Sequence, residues 1–199
     1  MRKPKTIAFW IGRLPHWEVE EGRYFVTIHL AGAIPRAGHQ RIREIASSLK
    51  RIDQGQDDER LRIQRLIFSE MERWLDTTTM ATHLQIPAVA EMVVEAINHR
   101  HDAGVWRLFE YVVMPSHIHL FFELRRRGLK TTLENFKRWT ARRAAAETGQ
   151  RGDEFWQVEW FDHWSRSDEE DERIAAYIRR NPEKAKLVEQ YQDWPHGSW

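Results

Sequence analysis

The 199-residue chain contains no cysteine. Disulfides, thiolate-bound metals and cysteine nucleophiles are therefore excluded. Long hydrophobic runs are missing too. No stretch approaches the roughly 20 apolar residues of a membrane span, and Met1–Lys5 is not followed by the apolar segment of a signal peptide. These absences predict a cytoplasmic protein with no membrane partner. Neither sign of charge is in excess, since 31 Lys and Arg face 30 Asp and Glu for a net charge of +1. A polyanionic partner must then be met by a local basic surface, because the molecule as a whole has almost no net field. Repeats, low-complexity tracts and inter-domain linkers are also lacking, so residues 1–199 read as a single domain with its own core.

Tryptophan is abundant, with ten residues, and most suit core packing. The informative stretch is Tyr111–Leu124, Y-V-V-M-P-S-H-I-H-L-F-F-E-L. Its β-branched first part reads as a buried strand, Pro115-Ser116 as a turn, and His117–Leu124 as a second strand. Strand alternation sends His117, His119 and Phe121 to one face and Ile118, Leu120 and Phe122 to the other. Two imidazoles about 7 Å apart at Cα suit two ligands of one metal ion. Two ordinary strand histidines, one packed and one solvated, would give the same pattern. The same spacing at His99 and His101 falls at the end of a helical pattern, where i and i+2 diverge, and reads as structural.

Upstream, Met1–Arg23 is basic at its start and reads as an N-terminal arm, followed by a strand over Tyr24–Leu30. His29, in that strand, reads as a packed histidine. A helical insertion around residues 41–82 follows, broken near Asp53–Asp58, with Leu61, Leu66, Phe68 and Met71 as its apolar stripe. Pro87 opens a helix that Gly104 ends. Downstream of the histidines come Arg125, Arg126 and Arg127. A helix then opens with a Thr131/Glu134 capping box and ends at Gly149, carrying Lys130, Lys137, Arg138, Arg142 and Arg143. This is the one strongly cationic region, either a solvated helix face or a phosphate-binding surface. Phe155–Trp164 reads as extended. Ser167 and Glu170 form a second capping box for a helix that Asn181-Pro182 should interrupt, with a short helix over residues 182–190 and a Trp-rich C-terminal tail.

Tyr177 and Asn181 are four apart on that helix, so they share one side. Packing and capping would account for each alone. With a histidine pair, they also form a set able to do chemistry. Two imidazoles and an amide oxygen leave a divalent ion open positions for phosphate oxygens, and a phenol is a nucleophile once its proton is drawn off.

The strings V-M-P-S-H-I-H-L, F-K-R-W-T-A-R-R, F-W-Q…W-F-D-H and Y-I-R-R-N-P-E-K-A-K-L-V resemble the REP-associated tyrosine transposases, relatives of the single-tyrosine HUH transposases. The likeness runs from Tyr24 to Val188. It implies an α+β, ferredoxin-like antiparallel sheet with the histidine motif on a sheet strand and the nucleophilic tyrosine on a C-terminal helix. Carried across, His117 and His119 are catalytic metal ligands, Asn181 is the third ligand and Tyr177 the nucleophile, with Mg²⁺ or Mn²⁺ as cofactor. The implied activity is cleavage and strand transfer of single-stranded DNA at hairpin repeats through a 5′-phosphotyrosine intermediate. A domesticated relative that binds the hairpin without cutting is the alternative. Arg125, Arg126, Arg127, Lys130, Lys137, Arg138 and Arg142 are the expected DNA contacts. Monomer or homodimer is left undecided. Ser116 stands where the family often has Asn.

Overall fold

The computed structural model describes residues 2, 5–12, 14–51, 57–77, 80–125, 128–149 and 154–199. Its centre is a four-stranded antiparallel sheet built from β3 (Arg23–His29), β4 (Trp106–Val113), β5 (His117–Leu124) and β6 (Phe161–Trp164), in the order β4-β5-β3-β6. Between β3 and β4 lie α1 (Arg36–Ser47), α2 (Asp57–Leu75) and α3 (Pro87–Asp102); α4 (Leu129–Thr148) joins β5 to β6. With α3 and α4 as the crossovers, this is the β-α-β-β-α-β order and pairing of a ferredoxin-like fold. A last helix, α5 (Asp168–Lys184), follows β6. No described helix is long and apolar enough to cross a membrane.

Both faces of the sheet are covered. On one, Trp106 contacts Phe122 (4.9 Å between ring centroids) and Phe136 of α4 (6.0 Å), so the Ile118–Leu120–Phe122 row lies under α3 and α4. On the other, Phe25 meets Phe68 of α2 (5.3 Å) and Tyr177 of α5 (5.8 Å), so the His117–His119–Phe121 row lies under α2 and α5. The second face of the sheet is thus closed by α2 and the final helix α5.

Three local expectations are corrected. The N-terminal segment is a hairpin, with β1 (Thr6–Ile11) paired to β2 (Pro15–Val19). It is pinned to β6 by buried His16, which bonds Asp162 through Nδ1 and Glu159 through Nε2 (3.1 Å). The helix α4 begins at Leu129, and Gly128, not Thr131, is its N-cap. Glu18 of β2 supplies the missing acceptor, its Oε2 lying 3.1 Å from the Leu129 N–H, where the positive end of the helix favours a carboxylate. Nor do Asn181 and Pro182 break α5, which runs two residues past the proline. The helix then ends in a Schellman-type turn, with Lys186 at φ 57° and the Leu187 N–H donating to the Pro182 carbonyl (3.0 Å).

Other readings hold. Ser167 caps α5 by accepting from the Glu170 N–H (3.2 Å), Pro87 sits in the first turn of α3, and Gly149 closes α4 in the left-handed region at φ 67°. The C-terminal tail lies along the open edge of β4. There the His196 carbonyl accepts from the Val113 N–H (2.8 Å) and Trp194 Nε1 donates to the Val113 carbonyl (3.0 Å). An edge strand so covered is not available to pair with another chain.

Candidate metal and nucleophile site

The site is assembled on the α2/α5 face of β5. Strand alternation aims His117 and His119 into the sandwich, where their ring centroids are 4.7 Å apart. Each Nδ1 has an oxygen beside it, Ser116 Oγ at 3.0 Å for His117 and Thr27 Oγ1 at 2.8 Å for His119. An imidazole that offers Nε2 to an ion carries its proton on Nδ1, and these hydroxyls accept that proton's hydrogen bond, fixing tautomer and ring orientation. Ser116 thus sets a hydroxyl beside the His117 ring.

A third candidate ligand comes from a helix that motif reading left aside. Glu72 of α2 offers a carboxylate oxygen within 4.8 Å of the offered nitrogens of His117 and His119, and all three residues are buried. Its Oε1 is 3.6 Å from His119 Nε2. Its Oε2 accepts a hydrogen bond from the Tyr177 hydroxyl and lies 3.6 Å from Lys184 Nζ, which is itself held by Asp76 at 2.8 Å. The Tyr177 ring stands 5.5 Å from that of His119, on the same chain.

Burial governs the electrostatics. It pushes the Glu72 carboxyl up to about 8 against the pull of the Lys184 ammonium. It also pushes His117 down to about 3, helped by the charges of His29 and Lys184, and His119 well below its ordinary value. Neutral imidazoles are the form that binds a cation. Among the described residues, every buried side-chain polar atom without a hydrogen-bond partner belongs to Glu72, His117, His119 or Asn181, except Thr132 Oγ1 on α4. Leaving such atoms bare costs about 1–3 kcal/mol each. Glu72, His117 and His119 bring ligand atoms within 4.8 Å of one another, which is what a cation site requires, so the residues present fit a divalent ion.

The other expected residues are distributed as follows. Asn181, one turn beyond Tyr177, is 1% exposed, and neither amide atom has a partner. Lys130, Arg138 and Arg142 are exposed on α4, and Arg125 pairs with Glu123 at 3.0 Å just before that helix. That helix covers the opposite face of the sheet from Tyr177. Lys137 is buried, its ammonium donating to the Gln157 and Val158 carbonyls (2.6 and 2.5 Å), and burial lowers it to about 8. Arg126 and Arg127 lie outside the described residues. His29 is packed, as expected, with Nδ1 near the Leu30 carbonyl at 3.1 Å.

The family model for IS200-like transposases matches residues 80–181. That is just over half of the chain, and it includes both histidines, Tyr177 and Asn181. The chain belongs to the IS200-like transposases. Glu72 lies outside the matched segment, so the matched part of the chain meets a carboxylate supplied by α2. A solved structure of a REP-associated tyrosine transposase bound to a REP hairpin is similar at 16% identity and a TM-score of 0.57, covering 95% of this chain and 83% of that one. At that identity the likeness establishes the shared α+β fold. No curated protein matches the chain.

Proposed function

We propose that this chain is a metal-dependent single-stranded DNA endonuclease and strand transferase acting at palindromic hairpin repeats through a 5′-phosphotyrosine intermediate. The observation that carries the reading is convergence: a phenol and three partnerless ligand atoms meet in one buried spot. Hairpin DNA is favoured as the substrate class because the similar solved transposase is bound to a REP hairpin.

Mg²⁺ or Mn²⁺ would be held by His117, His119 and Glu72, with the Asn181 amide as a further ligand. Such an ion supplies Lewis acidity to a phosphodiester. The two oxygens of Glu72 divide the work. Oε1 faces the histidines, and Oε2 receives the Tyr177 proton along a hydrogen bond already formed. Tyr177 Oη attacks phosphorus, the P–O3′ bond breaks, and the 3′ oxygen takes up a proton and leaves as a hydroxyl. The phosphate remains on Tyr177 as an aryl ester. A phenol, with its free pKa near ~10, leaves more readily than an aliphatic alcohol. Another strand's 3′-OH can therefore attack that ester and release Tyr177, Glu72 returning the proton. Lys184 and Asp76 keep the carboxylate in place. Arg125, Lys130, Arg138 and Arg142, on the far face, are assigned to phosphates of the hairpin stem.

The test is a covalent adduct. The full chain with Mn²⁺ and a single strand bearing a hairpin should give a protein–DNA species that survives denaturing electrophoresis. EDTA should prevent it and Tyr177→Phe should abolish it. An adduct formed by Tyr177→Phe would overturn the assignment of the nucleophile. Tight hairpin binding with no adduct under either metal would select the second reading, a hairpin-binding protein that does not cut.

A further inference from the structure

Beside Tyr177 the structure opens a cavity of about 420 Å³ between α2 and α5, walled by Phe25, Phe68, Phe161 and Ile174. That size lies within the roughly 300–1,000 Å³ of small-molecule sites. Its aromatic wall is ordered: Phe68 leans on Phe161 (5.0 Å, 34° between planes) and meets Phe25 edge-on (5.3 Å, 83°). Gln64 also lines it. This carboxamide is 3% exposed and makes no hydrogen bond among the described residues. Arg65 and Arg173 stand at the mouth, both exposed and without an ion pair among the described residues. Glu170, the one acid in the lining, is already engaged by His163 (2.8 Å) and the Arg166 N–H (2.7 Å). The three α2 residues, Gln64, Arg65 and Phe68, lie outside the family-matched segment.

We propose that this cavity takes a nucleobase, that of a nucleotide adjoining the phosphate Tyr177 attacks. The inference rests on the DNA-cleaving reading, yet on residues that reading does not use. A base presents a flat π-face to an aromatic wall, and stacking of this kind is worth roughly 1–3 kcal/mol per base. A base edge also offers the donors and acceptors that a lone carboxamide can pair with. Two unpaired guanidinium groups at the entrance match the sugar-phosphate that must follow a base inward. An apolar ligand would leave Gln64 and both arginines unused. The wider cleft that continues past Arg65 and Arg173 is lined by Arg2 and Arg166 but also by Asp58, Asp168 and Glu169. Charges balance there, so the match to nucleic acid is confined to the aromatic pocket. Seating one base beside the phenol would set which phosphate lies in line with it.

Fluorescence anisotropy on the full chain carrying Tyr177→Phe, in EDTA, separates base from backbone. The probes are labelled oligo(dT), oligo(dA) and an abasic strand of equal length. Base-bearing strands should bind on the order of tenfold tighter than the abasic strand. Adding Ile174→Trp, which fills the cavity, should bring that ratio close to one, and adding Gln64→Ala should reduce it. The salt dependence should stay unchanged in both, since phosphate contacts are untouched. Should Ile174→Trp fail to fold, Gln64→Ala carries the test alone. Equal affinity of the parent protein for abasic and base-bearing strands would overturn the proposal, and so would a ratio that neither folded variant moves. The readout needs neither metal nor cleavage. A missing adduct would thus sink the nuclease reading without moving this ratio, and the converse holds too.

Discussion

Along β5, Ile118, Leu120 and Phe122 face α3 and α4, whereas His117, His119 and Phe121 face α2 and α5. The first row is dry and apolar, closed by Trp106 and Phe136. The second is equally buried, yet both of its histidines leave Nε2 without a partner, as Glu72 of α2 leaves Oε1 and Asn181 of α5 its whole amide. One strand thus separates two tasks by the parity of its residues. The apolar row stabilises the fold in proportion to the area it removes from water. The polar row costs stability until something satisfies it.

The sharpest way to break that comparison is to change neighbouring residues on opposite faces. His119→Leu should abolish metal-dependent adduct formation while leaving stability in EDTA within roughly 1 kcal/mol of the parent. Leu120→Ala should do the reverse, lowering the free energy of unfolding by about 2–5 kcal/mol through the cavity it leaves. Urea titrations of both variants decide the matter, and equal destabilisation would show that the faces do not divide in this way.

A different histidine sharpens the contrast, because it is buried with partners. His16 is raised to about 9: burial alone would lower it, but its bonds to Asp162 and Glu159 prevail. The folded state therefore holds this proton more tightly than the unfolded chain does. Its contribution is complete below about 6.5 and is lost as pH rises through about 9, on the order of 3 kcal/mol in all. His16→Gln should flatten that decline in urea melts at either end of the window. An unchanged slope would rule out His16 as its source. The smallest effect is expected at Ser116→Ala, which removes the acceptor for His117 Nδ1. Calorimetric titration with Mn²⁺ should show affinity reduced about 10–100-fold; an unaltered affinity would mean the hydroxyl does not orient the ring.

Much of this arrangement was legible in residue order. The alternation around His117 and His119, the Pro115-Ser116 turn, the Ser167 cap and the four-residue spacing of Tyr177 and Asn181 all rest on local rules, and local rules survive folding. Glu72 was not legible in that way. The stripe read from α2 was Leu61, Leu66, Phe68 and Met71, but Leu66 is 44% exposed, and the buried side instead runs through Ile63, Gln64, Ile67, Met71, Glu72 and Leu75. A glutamate there reads as solvated unless its helical phase is followed: Gln64, Phe68 and Glu72 fall on one ridge at intervals of four. The β1–β2 hairpin escaped notice because what holds it to the fold, His16 on Asp162 and Glu159, lies far away in the chain. The start of α4 was hidden for a similar reason, its acceptor Glu18 lying 111 positions earlier.

The return of α5 onto its own sheet has a kinetic corollary. Phenol and imidazoles meet on one polypeptide, so under the proposed reading a single copy would hold both nucleophile and candidate metal ligands. With DNA in excess, nicking should stay first order in protein down to high dilution.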